Sequence, residues 1–263
     1  MRPLRPLLVA LAFVGACAHT HFVPTKEHGW SQRRDGTYVY LPPGFSPSQH
    51  LPIIVFLHGA DERGHDPLRV TQVGLGPTLE RLTAAGTPLQ AVVLFPQCPS
   101  GRFWAETAPM QLVLDALDSA AAEYQTDPDR VYLTGNSMGG YGSWIIAGRN
   151  PGKVAAIVPI CGGLLPPPGM PLPKDAASFA RAADPFAALA EALGPTPVWA
   201  FHGADDWVVP PKQDRQIIAA LRARGQSKDI RYTELAKTGH WSWDKAYAEP
   251  GLWTWLLAQH RQP

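Results

Sequence analysis

Three residues far apart in this chain, Ser137, an aspartate at 205 or 206, and His240, have the types and the order that nucleophilic acyl transfer requires. Ser137 lies in Gly135-Asn136-Ser137-Met138-Gly139, directly after the β-branched run Val131–Thr134 and before a helical pattern from Met138 to Arg149. A serine on so tight a strand-to-helix turn is lifted clear of the sheet, and glycines two residues to either side relieve the crowding. The same turn aims the N–H of the next residue, Met138, at the place where an oxyanion would develop. Asp205 and Asp206 follow the apolar run Pro197–Phe201, and His240 follows the alternating run Ile230–Leu235. An imidazole in that position would take the serine proton, and a carboxylate would fix its tautomer and stabilise its charge. Singly, each residue has an ordinary explanation: a turn serine, a capping aspartate, a solvated histidine. Together and in order, at the ends of successive strands, they argue for one site on one edge of a parallel sheet.

Strands to carry that edge are expected at Thr37–Leu41, Ile53–Leu57, Ala91–Phe95, Val131–Thr134, Ala155–Ile160, Val198–Phe201 and Ile230–Leu235. Helical patterns fall between several of them, notably Met110–Tyr124, Met138–Arg149 and Asp214–Arg224, and a last one spans Tyr247–Gln259. The alternation predicts an α/β fold with a doubly wound, mainly parallel sheet. Arg33-Arg34 beside Asp35-Gly36 reads as a hairpin turn. An apolar content of 45% supports a large core, and a net charge of +1 gives no reason to expect a nucleic-acid partner. No phosphate-binding loop is present, since Gly74-x-Gly76 lacks a third glycine and a preceding strand, and no Cys/His cluster has metal-ligand spacing. His19 and His21 belong to a leader-proximal stretch and carry no such signal, so no metal or cofactor is expected.

The segments Phe56–Gly64, Asp127–Gly142, His202–Pro210 and Gly239–Trp243 resemble those of α/β-hydrolases of the phospholipase/carboxylesterase branch, with dienelactone-hydrolase-like relatives and a subgroup of predicted peptidases. The likeness runs from about residue 35 to 258, the whole domain. It implies a serine hydrolase of carboxylic esters acting through an acyl-enzyme, with Ser137, Asp206 and His240 as the triad. Counting five residues along the family pattern H-G-x-x-D-x-x-V-P from His202 selects Asp206 over Asp205. It also implies that the N–H of Ala60 is the second oxyanion donor beside Met138, and that His58 anchors its loop. The same resemblance leaves a serine peptidase open, and a catalytically dead, lipid-anchored binding protein is the reading from another class. A small-molecule or polymer ester is the expected substrate, and a monomer the expected state, with an oligomer left open.

At the N-terminus, Arg2 and Arg5 precede a short apolar run from Leu7 to Val14, and Val14-Gly15-Ala16-Cys17 resembles a bacterial lipobox. The domain plan is a lipoprotein signal peptide over 1–16, a tether over 17–30 with Cys17 lipidated, and a catalytic domain over 31–263. Such an enzyme would be exported and held by acyl chains on the cell envelope, facing the periplasm; an ordinary secretory leader is the alternative. Cys98 and Cys161 should lie two strands apart, too far for a disulfide. Residues 162–194, with a proline-rich stretch from Leu164 to Pro173 and a helix from Phe186 to Leu193, are a possible cap insertion. Trp104, Trp144, Trp207, Trp241 and Trp243 fall near the expected site and could line an aromatic cleft.

Overall fold

The computed structural model describes residues 24–166, 174–227 and 229–261. Eight strands form one sheet in the order β1-β2-β4-β3-β5-β6-β7-β8. They are β1 (Trp30–Gln32), β2 (Tyr38–Tyr40), β3 (Ile53–Leu57), β4 (Val92–Phe95), β5 (Val131–Asn136), β6 (Ala156–Ile160), β7 (Val198–Gly203) and β8 (Ile230–Leu235). The last six run parallel; β1 and β2 form an antiparallel hairpin that pairs antiparallel with β4. Strands β3 to β7 are buried along their whole length, as continuous apolar runs covered on both faces must be.

Alternate side chains feed two cores. Ile53, Val55 and Leu57 point to one face, where α2 (Thr107–Tyr124), α3 (Met138–Arg149), α4 (Pro185–Leu193) and α5 (Lys212–Arg224) pack. Ile54 and Phe56 point to the other, under α1 (Leu75–Ala84), α6 (Trp243–Tyr247) and α7 (Leu252–Leu257). The doubly wound sheet expected from the sequence is therefore present. None of the described helices is long and apolar enough to cross a membrane.

Two expectations need correction, and one helix is an addition to them. Trp30, expected at the end of a tether, opens β1, is 2% exposed and packs on Tyr40 and Phe95 with ring centroids 5.5 and 5.1 Å away. An indole buried among aromatics belongs to the fold, whereas Cys17 and the expected leader lie outside the described residues. The C-terminal helix is two helices, because Pro250 has no N–H to continue the ladder and Gly251 turns left-handed at φ 84°. An unforeseen helix, α1, spans Leu75–Ala84 despite Gly76 and Pro77, which sit in its first turn where a missing N–H costs nothing. Part of the possible cap insertion is described. Helix α4, capped by Asp184 Oδ1 accepting from the N–H groups of Phe186 and Ala187, is a crossover helix on the sheet face. It packs Leu189 against Gly148 at the far end of α3, about 15 Å along that helix from Ser137. Residues 167–173 lie outside the described residues.

Strands β3 and β5 separate Cys98 from Cys161, and both are free, buried thiols.

Candidate active site

Strand β5 ends at Asn136 and α3 starts at Met138, so the chain reverses within one residue. Ser137 takes φ 54° and ψ −116°, a strained conformation for a residue with a side chain. Its N–H donates to Ile160 O (2.9 Å) at the end of β6, which ties the turn to the neighbouring strand. Backbone closes in on the other side: a Cβ added to Gly139 would lie 1.8 Å from Leu57 O. Glycine is required there, and the serine is locked in place between β3 and β6.

His240, 7% exposed in the loop after β8, bridges serine and aspartate. Its Nε2 is 2.9 Å from Ser137 Oγ and its Nδ1 is 2.7 Å from Asp206 Oδ2. A carboxylate can only accept, so Nδ1 carries the proton and Nε2 is left to receive the serine hydroxyl proton. Asp206, in the loop after β7, is 4% exposed. Its Oδ1 accepts from the N–H groups of Val208 (3.0 Å) and Val209 (2.9 Å). Burial opposes its ionisation, but hydrogen bonds from His202, His240 and the Val209 N–H outweigh burial and hold the carboxyl well below the usual range. Asp205 is exposed and contributes only its backbone N–H, to Thr238 O (2.9 Å). The acid and histidine loops touch at Gly203, where a Cβ would meet Gly239 O at 2.2 Å. That contact sets how far His240 sits from Asp206.

The loop after β3 lies beside this turn because Leu57 pairs with Gly135. Ala60 opens a 3-10 turn there, and Met138 is the first residue of α3. Among the described residues neither N–H has a hydrogen-bond acceptor. His58 holds this loop. Its Nδ1–H donates to Gly59 O (2.6 Å), its Nε2 accepts from Cys98 N–H (2.9 Å), and its carbonyl accepts from Trp104 Nε1 (3.0 Å). Burial, reinforced by Arg63 and Arg69 and opposed by the Gly59 bond, pushes this imidazole down to about 4. It is a neutral strut. Arg63 donates to Ala60 O (2.8 Å) and lies over Phe103.

Cys161 Sγ accepts from Ser137 N–H at 3.3 Å, and with Asp206 and His240 it forms a cluster of potential ligand atoms within 4.8 Å. Burial drives this thiol upward, so it stays protonated, and both nitrogens of His240 are already engaged. Of the five tryptophans, Trp104, Trp144 and Trp243 are core residues, whereas Trp207 and Trp241 are 63% and 60% exposed. Trp241 places its ring 6.1 Å from that of His240. The aromatic cleft expected from the sequence reduces to these two.

Sequence reasoning missed one group. His202, on β7, is fully buried with Nδ1 2.7 Å from Asp214 Oδ2 and Nε2 2.8 Å from Val209 O and 3.3 Å from Asp206 Oδ2. The signal was a polar ring in an otherwise apolar buried strand, which must find partners.

No family model matches the chain. A stretch of 51 residues is 47% identical to S-formylglutathione hydrolase of Rattus norvegicus, 18% of each chain. Among solved structures, a thermostable esterase superposes with a TM-score of 0.68 at 28% identity, over 88% of this chain and 62% of that one. A feruloyl esterase module from Clostridium thermocellum, solved with sinapinate, gives 0.61 at 18% identity over 83% of this chain and 82% of its own. The chain thus spans less than two thirds of the length of the first two proteins. What it shares with the two solved structures is the fold, a mostly parallel sheet covered by helices, which this chain builds from eight strands.

Proposed function

We propose that this chain, an α/β-hydrolase by fold, is a serine carboxylesterase that works through an acyl-enzyme on Ser137. One observation carries the reading: His240 is hydrogen-bonded through one nitrogen to Ser137 Oγ and through the other to a buried carboxylate. In the first step Ser137 Oγ attacks the ester carbonyl carbon while His240 Nε2 takes its proton. The carbonyl oxygen becomes an oxyanion, which the N–H groups of Ala60 and Met138 receive. As the tetrahedral adduct collapses, imidazolium returns the proton to the departing alcohol and an acyl-serine remains. Water, deprotonated by the same nitrogen, then attacks the acyl carbon and restores the free serine and the acid. Asp206 keeps Nδ1 protonated throughout and offsets the charge on the ring.

The exposed indoles of Trp207 and Trp241 lie next in sequence to Asp206 and His240, so the substrate meets an aromatic rim at the mouth of the site. Cys17 is proposed as a lipidation site that would hold the enzyme on the envelope, facing the periplasm. Replacing Cys17 with Ala would then move the protein from the detergent phase to the aqueous phase in a detergent partition.

A panel of p-nitrophenyl esters beside peptide p-nitroanilides tests the activity. Turnover of the esters, lost in Ser137→Ala and His240→Ala variants that keep their fold, is the expected result. A preference for amides would make the protein a peptidase. No turnover of either class, with no labelling by a fluorophosphonate, would make it a binding protein.

A further inference from the structure

Two histidines are fully buried near the site, and their neighbours assign them opposite charge states. His58 faces one acceptor and one donor, which only the neutral ring satisfies. His202 faces acceptors on both sides. The Val209 carbonyl can only accept, so His202 Nε2 must be an N–H; Asp214 Oδ2, 2.7 Å from Nδ1, lies where a second N–H would point. The other oxygen of Asp214 accepts from Trp144 Nε1–H at 2.9 Å, so that carboxylate is fixed from two directions. Both side chains of the pair are 0% exposed. A charge buried so deeply persists only when paired and hydrogen-bonded, and this one is.

The pair lies directly behind the acid of the site. His202 Nε2 is 3.3 Å from Asp206 Oδ2, the same oxygen that accepts from His240. It also holds Val209 O, and the N–H of that residue binds the other oxygen of Asp206. The ring is therefore tied to the aspartate by charge and to its loop by backbone.

We propose that His202 and Asp214 are positioning residues of the hydrolytic relay: a buried imidazolium, held by Asp214, that keeps Asp206 ionised and aimed at His240. The proposal rests on the reading of Ser137, His240 and Asp206 as the triad. Its chemical consequence concerns how strongly Asp206 supports the charged ring of His240. A positive charge beside Asp206 weakens that support, and removing the charge strengthens it. Burial by itself would lower the pKa of His202, but its bonds to Asp206 and Asp214 raise it to about 10, so the charge persists through the working range. The other ionisable groups around the pair are Cys161 after β6, Tyr141 on α3, and Glu234 and Tyr232 on β8, the last pushed upward by burial and neutral. Cys161 and Tyr141 are pushed upward by burial and stay neutral, and Glu234 is neutralised by a two-pronged pair with Arg215.

The variant that isolates this charge is Asp214→Asn. Its amide oxygen still accepts from Trp144, and its NH2 donates to His202 Nδ1, which converts the ring to the neutral form with Nε2–H still on Val209 O. Shape and hydrogen bonds stay; the charge beside Asp206 goes. The acid limb of kcat/KM against pH is expected to move up by about one unit, while KM stays within twofold and the plateau kcat falls less than about tenfold. A profile that overlays the parent's means the pair only packs, and overturns the proposal. Ring 15N NMR of the parent protein supplies a reading that does not depend on catalysis. Both nitrogens of His202 should be protonated at pH 8, and one should lose its proton in D214N. A neutral His202 in the parent overturns the proposal even if the triad stands. If Ser137→Ala retained activity the triad reading would fall instead, and the NMR result would still decide whether the ion pair exists.

Discussion

Replacing Asp206 with Asn removes one charge and no volume, and the surroundings of this residue fix what must follow. Oδ1 is held by two backbone donors at 3.0 and 2.9 Å, so the amide oxygen of D206N belongs there. The NH2 then takes the place of Oδ2, 2.7 Å from His240 Nδ1 and 3.3 Å from His202 Nε2. Donor faces donor at both contacts. His240 escapes by moving its proton to Nε2, which turns an N–H toward Ser137 Oγ and leaves no lone pair to accept the hydroxyl proton. Loss of the correct tautomer in a serine triad costs about 10⁴ in kcat, which is about 5.5 kcal/mol of transition-state stabilisation. KM should change little, because Asp206 is buried and touches no substrate. The control is Asp205→Asn, an exposed side chain whose backbone N–H alone is used, and it should retain activity within twofold. Initial rates on p-nitrophenyl acetate at pH 8, normalised by active-site titration, measure both. A D206N enzyme with more than a tenth of parental kcat, or a D205N enzyme equally impaired, would refute the reasoning.

Other consequences concern stability, pH and specificity. Gly139→Ala drives a methyl into Leu57 O, backbone that has nowhere to move, and should cost about 3 kcal/mol or more, seen as a Tm lowered by roughly 10 °C; an unchanged melting curve would contradict the account of the turn. For His58, the folded pKa of about 4 lies below the unfolded value of 6.5, so its contribution is intact above pH 6.5 and is lost as pH falls toward 4. That loss reaches about 3 kcal/mol in urea unfolding, and His58→Gln should show a smaller acid sensitivity than the parent; equal sensitivity would show that the ring is not the cause. Trp207→Ala and Trp241→Ala should raise KM severalfold for aromatic esters and leave acetate turnover and Tm unchanged, since both indoles are mostly exposed.

The central strands could be read from the chain because each is a buried apolar run with turn residues at its ends. Ile53–Leu57 falls where expected to the residue, as does the partly exposed edge strand Ile230–Leu235 through its alternation, and the triad candidates meet because strand order carries them to one edge. Choosing Asp206 over Asp205 needed the family pattern. The structure supplies a physical counterpart: one side chain is 4% exposed against His240, and the other is in solvent. What could not be read lacked a local signal. Strand β1 is three residues long, too short for a period-2 pattern, and it exists because Trp30 packs on Tyr40 and Phe95. The partnership of His202 with Asp214 and Trp144 joins β7, α5 and α3, and no spacing in the sequence announces it. The helix after the proline-rich stretch is a sheet-face crossover, since Leu189, Ala190 and Leu193 are apolar enough to be drawn into the core.

The most direct test is to find the covalent intermediate. Intact-mass spectrometry after exposure to a fluorophosphonate, followed by peptide mapping, should show one adduct per chain, on the peptide carrying Ser137. The adduct should be absent in Ser137→Ala and formed far more slowly in His240→Ala. An enzyme that turns over esters while Ser137 stays unmodified, or that carries the adduct elsewhere, would contradict the account.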